Sequence, residues 1–253
     1  MYAPERQQQI LEQAREHGRV EVTTLASRLD VTAETVRRDL TILERHGLLR
    51  RVHGGAIPVE RIGFEPKLAV RQERYTAEKE RIAKAALEYL PDGGTILLDA
   101  GSTTARLAEQ LPAERELTVV TNSVAVAAIL AARDNIELFQ IGGRIRGKTM
   151  AAVGEWSTSA LRGIGVDIAF VGTNGLSLQR GLTTPDQQEA TTKRAQIEAA
   201  RQVVVVCDHS KIGQSHFATV ARLDEIDTVI TDAGLDEETA QEIEAAGPSV
   251  IRA

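Results

Sequence analysis

Two groups of side chains in this 253-residue chain have the types and spacing to do chemistry. The first lies near the N-terminus: Thr32, Glu34, Thr35, Arg37, Arg38, Thr41 and Arg45, with Thr24 before them and Arg50, Arg51, His53 and Gly54 after. A helix through this stretch carries Val36, Leu40 and Leu43 on one side at i, i+4, i+7, and turns the arginines and hydroxyls outward. Guanidinium forks and small hydroxyls near the start of a half-buried helix match the acceptor pattern of a DNA major groove. The second group falls where β-rich runs end: Asp99, Gly101, Ser102, Thr103 and Thr104; Thr121, Asn122 and Ser123; Arg144; Gly172 and Asn174; Asp208 and Lys211. Glycines, hydroxyls and free amides at helix starts are the groups that hold a phosphate. Arg144, Arg146, Lys148, Lys193 and Lys211 supply cations for it.

Other chemistries are missing from the pattern. Gly101-Ser102-Thr103 lacks the lysine and spacing of a P-loop. Gly163 and Gly165 precede a strand and lack a third glycine, so there is no dinucleotide fingerprint. No His/Cys/Asp set has metal-ligand spacing. The expectation is therefore no cofactor, no metal and no catalytic residue. The single cysteine, Cys207, follows a valine run and reads as core, which fits a reduced cytoplasmic setting. The polar start (Glu5, Arg6, Gln7, Gln8, Gln9) lacks a signal-peptide apolar region. The longest apolar run, Val124 to Ala132, falls far short of the ~20 residues that cross a bilayer, so no membrane partner is expected.

Charge is unevenly spread. The formal net charge is −6. Residues 1–57 hold nine Arg against eight Asp or Glu, a net of +1, and the rest holds 21 basic against 28 acidic residues, a net of −7. DNA affinity must then come from a small arginine cluster, doubled by dimerisation, rather than from a broad positive surface.

The elements that position the first group are short. Glu5 to His17 is helical, with Ile10, Leu11 and Ala14 on one face and Gly18 as the stop. Thr24 caps a helix through Leu25, Ala26 and Leu29; Asp30 and Val31 break it; Thr32 caps the next. Gly47 ends that helix. Leu48 to Val52 alternates into a strand, His53-Gly54-Gly55 turns, and Ala56-Ile57 returns, a basic hairpin with Arg50 and Arg51 set to meet phosphates. On charge alone, Arg37, Arg38 and Arg45 are equally the solvated charges of an exposed face, with Glu34 forming an i,i+4 pair to Arg38 worth ~0.2–0.5 kcal/mol. The order of turn, helix, glycine and basic Gly-Gly hairpin favours the groove.

Pro58 to Thr76 loses periodicity, carries two prolines and alternates charges, as linkers do. From Ala77 onward short β runs alternate with helical patterns. After a helix over Glu78–Leu90, strands are predicted at 95–99, 117–121, 136–141, 167–172, 203–207, 228–231 and 249–251, with helices at 103–111, 124–132, 155–161, 186–200 and 236–246. A Gly-rich basic loop follows Ile141. The alternation means a mainly parallel sheet covered on both faces, with ligands at the carboxyl ends of its strands. The fold class is α/β, divided into residues 1–57 for DNA, a linker over 58–76, and a sensing domain over 77–253.

Thr35-Val36-Arg37-Arg38-Asp39-Leu40, Leu43, Gly47 and Arg51-Val52-His53-Gly54-Gly55-Ala56 resemble the winged helix-turn-helix of the DeoR family of bacterial sugar-metabolism regulators. The second half resembles that family's C-terminal sensor domain, itself similar to ribose-5-phosphate isomerase. Ala100-Gly101-Ser102-Thr103-Thr104 resembles the isomerase phosphate loop. Val166-Asp167-Ile168-Ala169-Phe170 with Gly172 resembles its strand leading to catalytic acids, and Val204 to Lys211 its strand ending in a sugar-contacting Ser-Lys. One departure bears on function: Gly172-Thr173-Asn174-Gly175-Leu176-Ser177 holds no carboxylate, although Glu189, Asp99 and Asp208 lie elsewhere in the chain. Moving a proton between sugar carbons needs a base against the substrate.

The resemblance implies a transcriptional regulator, most readily a repressor, acting as a homodimer or homotetramer on operator DNA and released by a phosphorylated sugar. The phosphate is expected on the amides of Ser102 to Thr104, the sugar hydroxyls on Asn122, Asn174 and Asp208, and neutralising charge from Lys193, Arg144 or Lys211. Two rivals stand beside it: a sugar-phosphate isomerase with an accessory DNA module, and a nucleic-acid module without a ligand.

Overall fold

The structure, a computed structural model, describes residues 2–58 and 65–253. It divides into two compact units, Met1–Pro66 and Lys67–Ala253.

In the first unit, α1 (Ala3–His17) ends at Gly18, whose φ of 73° suits a residue without a Cβ. β1 (Val20–Glu21) leads directly into α2 (Val22–Arg28), and α3 (Ala33–Arg45) follows. The α2–α3 turn passes through Asp30 at φ 52°, a left-handed conformation that Asp tolerates better than most residues. Thr32 caps α3 as predicted, its hydroxyl accepting from the Thr35 amide at 3.2 Å. At the far end of α3 the amides of Gly47 and Leu48 return to the carbonyls of Glu44 (2.8 Å) and Leu43 (2.9 Å), and Gly47 takes φ +65°. That is a Schellman end.

β2 (Leu49–Val52) and β3 (Gly55–Pro58) form the hairpin, and β1 adds to the outer side of β3. The turn is the two residues His53 and Gly54; Gly55 already belongs to β3, opposite Glu21. A Cβ on Gly55 would sit 1.9 Å from the Val20 carbonyl oxygen, so only glycine lets β1 lie there. The apolar residues of all six elements close one small core around Ile10, Leu25, Val36, Leu40 and Leu49.

Two expectations change. α2 begins at Val22, with Glu21 as its cap residue, so Thr24 lies inside the helix and does not cap it. Glu34 pairs with Arg37 at 3.2 Å, the i,i+3 partner, rather than with Arg38.

The second unit opens with α4 (Leu68–Glu73) and α5 (Thr76–Ala86), joined at Arg74 and Tyr75. Leu68 is buried and its amide donates to the Lys148 carbonyl at 2.7 Å. Residues 67–76, assigned above to the linker, thus fold as part of this unit. Residues 59–64 of that linker lie outside the described residues.

The central sheet is built from β4 (Thr95–Leu98), β5 (Leu117–Thr121), β6 (Ile136–Gln140), β9 (Val166–Val171), β12 (Ala200–Val206), β14 (Thr228–Thr231) and β15 (Ser249–Arg252). Its order is β15-β14-β12-β9-β4-β5-β6, parallel at every pairing. Successive residues point to opposite faces. Ile96, Leu98, Ile168, Phe170, Val204 and Val206 pack under α5, α6 (Ser102–Gln110) and α7 (Val124–Leu130). Leu97, Ala169, Val171, Val203 and Val205 pack under α8 (Glu155–Arg162), α9 (Gln187–Glu198) and α10 (Glu237–Ala245).

Strands absent from the sequence reading flank the sheet. β7 (Arg144–Arg146) and β8 (Ala151–Val153) form a hairpin where a loop was predicted. β10 (Gly175–Ser177), β11 (Gly181–Thr184) and β13 (Ala218–Ala221) form a small antiparallel sheet. The chain builds β4, β5 and β6 outward on one side, then returns to lay β9 on the other side of β4. The strand order therefore reverses between β4 and β9, and a ligand crevice belongs at their carboxyl ends.

Candidate functional site

The exposed side of α3 and the hairpin form an open concavity of about 750 Å³, lined by Thr32, Glu34, Thr35, Arg37, Arg38, Thr41, Ile42, Arg45 and Arg51. Arg51 is held toward α3 from both ends. Its amide donates to Glu44 Oε1 at 2.8 Å, and its guanidinium donates to Thr41 Oγ1 at 3.2 Å. Arg38 and Arg45 have no side-chain partner among the described residues and remain exposed. Arg50 alternates with Arg51, so it leaves the hairpin on the opposite face. His53 and Gly54 are exposed at the turn, and Thr24 is exposed on α2; none of these four lines the concavity.

The groove face is aimed by a residue whose role the sequence reading did not find. Asp39, on the inner side of α3, is buried and accepts from Arg6 Nε at 2.6 Å and Gln7 Nε2 at 2.9 Å, which ties α1 to α3. An Asp among three apolar residues at helical spacing was the signal available.

In the second unit the crevice between β4 and β9 is closed by charge. Asp99, at the end of β4 and 1% exposed, accepts from the Gly172 amide at 3.0 Å and pairs with Lys193. Lys193 also donates to the Gly172 carbonyl at 2.9 Å. The predicted residues Asp99, Gly172 and Lys193 therefore meet across the strand reversal. Beside them α6 begins at Ser102, and its N-cap residue, Gly101, has no side chain to cap it. The amides of Ser102, Thr103 and Thr104 have no acceptor among the described residues, and the first-turn amides of a helix carry its positive end. The Thr104 hydroxyl is spent on the Asp99 carbonyl at 2.6 Å, whereas those of Ser102 and Thr103 make no bond among the described residues.

Several predicted ligand groups make bonds within the fold. Thr121 donates to the Leu98 carbonyl at 2.6 Å, and Ser123 caps α7 by accepting from Val126 at 3.2 Å. Asn122 donates to the Ala152 carbonyl at 3.0 Å and accepts from Gln196 Nε2 at 2.9 Å. Asp208 accepts from the Ser210 amide at 3.2 Å and from its hydroxyl. Arg144 is exposed and donates to Gln188 at 2.6 Å; Arg146 is the inward cation, paired with Asp186 and Glu189 at 3.1 Å each. Asn174 stands in the loop after β9, its carbonyl 3.1 Å from His216 Nε2. The Lys211 amide donates to the Asp208 carbonyl at 3.0 Å, and its side chain makes no hydrogen bond or ion pair among the described residues.

Two residues outside the predicted set, Glu189 and Gln196, share one pattern with the predicted Lys193. On α9, Glu189, Lys193 and Gln196 fall at i, i+4, i+7, where a core helix carries leucines, and all three are buried. They engage Thr149, Asp99 and Asn122 in turn. Lys79 on α5 is also buried; burial, against the pull of Asp208 and with Lys211 adding repulsion, brings its pKa down from 10.5 to about 8.

Comparison with known proteins places these two units. The DeoR-like helix-turn-helix domain matches residues 6–61, and the DeoR C terminal sensor domain matches residues 74–233. The chain belongs to the DeoR family. It is 39% identical to the HTH-type transcriptional regulator GlpR of Haloferax volcanii over 251 residues, 99% of this chain and 98% of that one. It is 33% identical to the HTH-type transcriptional repressor GlcR of Bacillus subtilis, over 92% of this chain and 89% of the other. It is 32% identical to the glycerol-3-phosphate regulon repressor of Escherichia coli, over 92% of each. Ribose 5-phosphate isomerase A of Methanocaldococcus jannaschii is similar in fold alone, at 22% identity and a TM-score of 0.41 over 55% of each chain. As a DeoR-family member the protein is a DNA-binding transcriptional regulator and not an enzyme. No helix among the described residues is long and apolar enough to cross a membrane.

Proposed function

We propose that the protein is a repressor of a sugar-utilisation operon, released from its operator when a phosphorylated sugar enters the crevice at the carboxyl ends of β4 and β9. The observation that carries this reading is the pairing of uncapped α6 amides at Ser102–Thr104 with the buried Asp99–Lys193–Gly172 cluster. An anion finds free N–H donors there, beside a buried lysine that is held by Asp99 and the Gly172 carbonyl. The names of the relatives, a glycerol-3-phosphate regulon repressor among them, support the repressor part. The groove on α3, with Arg38, Arg45 and Arg51, is the DNA-reading surface of this proposal. Arg50, His53 and Gly54 serve it at the wing tip by phosphate contact. A single such unit offers few contacts, so the working form is a homodimer or homotetramer in the cytoplasm presenting two half-sites.

A thermal-shift screen of the full chain against phosphorylated sugars and their unphosphorylated counterparts tests this. A ligand that binds only the folded state stabilises it by RT ln(1 + [L]/Kd). At least one phosphorylated sugar raises the melting temperature while its unphosphorylated partner does not. A response to free sugars alone contradicts the phosphate site.

A further inference from the structure

β6 closes one end of the seven-stranded sheet, and no strand pairs with its outer side among the described residues. The Ile141 amide donates to the Thr121 carbonyl at 2.8 Å, and the Asn135 carbonyl accepts from the Leu117 amide at 3.2 Å. Successive residues of a strand turn their N–H and C=O to opposite sides. The odd-numbered residues of β6 therefore bond to β5, and Ile136, Leu138 and Gln140 face outward. The amides and carbonyls of Leu138 and Gln140 have no partner among the described residues. An open edge is a template for another strand, and proteins blunt it with proline, charge, a bulge or a cover. β15, at the other end of the sheet, has Pro248 before it and Arg252 at its close. β6 keeps an unbroken register with β5, from Leu117↔Ile136 to Thr121↔Gln140, and carries one charge, Glu137. On the same face as Glu137, Phe139 is 51% exposed.

Apolar surface continues beside that edge. Helix α8 starts over the carboxyl end of β6: the Ser157 hydroxyl donates to the Gly142 carbonyl at 2.8 Å, and Leu161 packs with Ile141 and Val120. The first turn of α8 carries Trp156, the chain's one tryptophan, 82% exposed. A pair of five-residue strands falls short of the ~800 Å² per partner of a stable interface, and Phe139 and Trp156 add apolar area to it. We propose that β6 is the seam between two copies of this chain, joined antiparallel about a two-fold axis at Leu138 so that the two sensor sheets become one. Charge and length select that register. An axis at Glu137 sets two carboxylates face to face, which is destabilising. An axis at Phe139 sets Glu137 against the buried Ile141 and carries Ile136 past the end of the strand. An axis at Leu138 pairs all of β6, bonds Leu138 to its own copy, and lays each Glu137 beside the Phe139 of the second copy. An interface that is self-complementary in this way suits a two-fold dimer. The inference rests on the oligomeric reading above and names its surface.

Sedimentation velocity of the full chain, with cross-linking, tests the seam. The wild type sediments as a dimer or larger. Phe139→Glu puts a carboxylate opposite Glu137 of the second copy, and the seam dissociates at about tenfold higher concentration. Adding Glu137→Lys to Phe139→Glu restores the wild-type size, since the opposed charges now attract. Unchanged far-UV circular dichroism shows that each variant is folded. Under mild oxidation, an equal mixture of Glu137→Cys and Phe139→Cys chains gives a disulfide-linked dimer, because directly opposed residues of a non-hydrogen-bonded pair lie ~4.5 Å apart at Cα. Either variant alone gives none, because like-numbered residues lie across the diagonal at about 7–8 Å. Cys207 is buried and stays out of the reaction. An oligomer that neither cross-links in the mixture nor weakens in Phe139→Glu overturns the seam and leaves the oligomeric reading standing; its edge is then open to a foreign strand. A cross-link in Glu137→Cys alone overturns the register. A wild-type monomer at micromolar concentration overturns both the seam and the oligomeric reading.

Discussion

At the scale of single residues, the two cations that matter most on α3 and the hairpin act differently. Arg38 is exposed with no partner among the described residues, free to form a fork on a base edge. Arg38→Ala is expected to weaken specific binding by ~1–3 kcal/mol and to relax sequence preference at one position. Arg51 is braced by Glu44 and Thr41, a posture for a fixed phosphate contact. Arg51→Ala is expected to weaken binding evenly across sequences and to lower the salt slope by about one contact. Gel shifts at several salt concentrations separate the two; unchanged affinity in both variants removes α3 from the groove.

Lys79 gives a different signature. Its folded pKa is about 8 against an ordinary 10.5, so between those values the unfolded chain holds a proton that the folded chain has released. Stability rises with pH wherever the unfolded state binds more protons. The wild type therefore gains stability relative to Lys79→Met as pH climbs from about 8 toward 10.5, and the difference is constant below about 8. Parallel urea-unfolding profiles over that window contradict the burial of a charged Lys79 against Arg71, Arg74, Lys211 and Asp208.

At the scale of elements, the wing depends on one missing side chain. Gly55→Ala puts a methyl 1.9 Å from the Val20 carbonyl, a backbone atom that cannot swing aside. β1 must leave the hairpin, and circular dichroism on the variant is expected to show the first unit melting below the second. Co-operative melting at the wild-type temperature contradicts this. Such a contact is invisible in the sequence, because Val20 and Gly55 are brought together only by the packing of α1, α2 and α3. What was legible was local or periodic: the Thr32 cap, the Gly47 stop, and strands such as 117–121 and 228–231, with bounds that match the structure. What was not legible lacked a local code. β10, β11 and β13 are three or four residues long and pair mainly with each other. The linker reading of residues 67–76 failed because charge alternation around prolines hides a six-residue helix anchored by Leu68. In the crevice, the hydroxyl and amide groups of Thr121, Asn122 and Ser123 read as ligand groups, and in the structure they bond to backbone and Gln196. A cap and a ligand loop use the same residue types.

At the scale of the whole molecule, two half-sites are needed for tight operator binding, and the sensor unit is the part large enough to bring them together. The fragment 67–253, which keeps α4, is expected to sediment as a dimer or larger at micromolar concentration; a monomer there, with a monomeric full chain, contradicts the assembly. The central claim joins the two sites: a phosphoryl group on the α6 amides lowers affinity at the α3 groove. A ligand shifts such an equilibrium only by its differential affinity for the two states, ordinarily ~1–3 kcal/mol, or 5–150-fold. The direct measurement is operator affinity of the wild type and of Ser102→Asp, each with and without the phosphorylated sugar found by thermal shift. A carboxylate at position 102 repels the phosphate while leaving the groove untouched. The wild type should lose operator affinity when that sugar is added, and Ser102→Asp should hold the operator with the same affinity in its presence and absence. If Ser102→Asp releases DNA at the wild-type sugar concentration, the phosphate is held elsewhere and the proposed site is wrong.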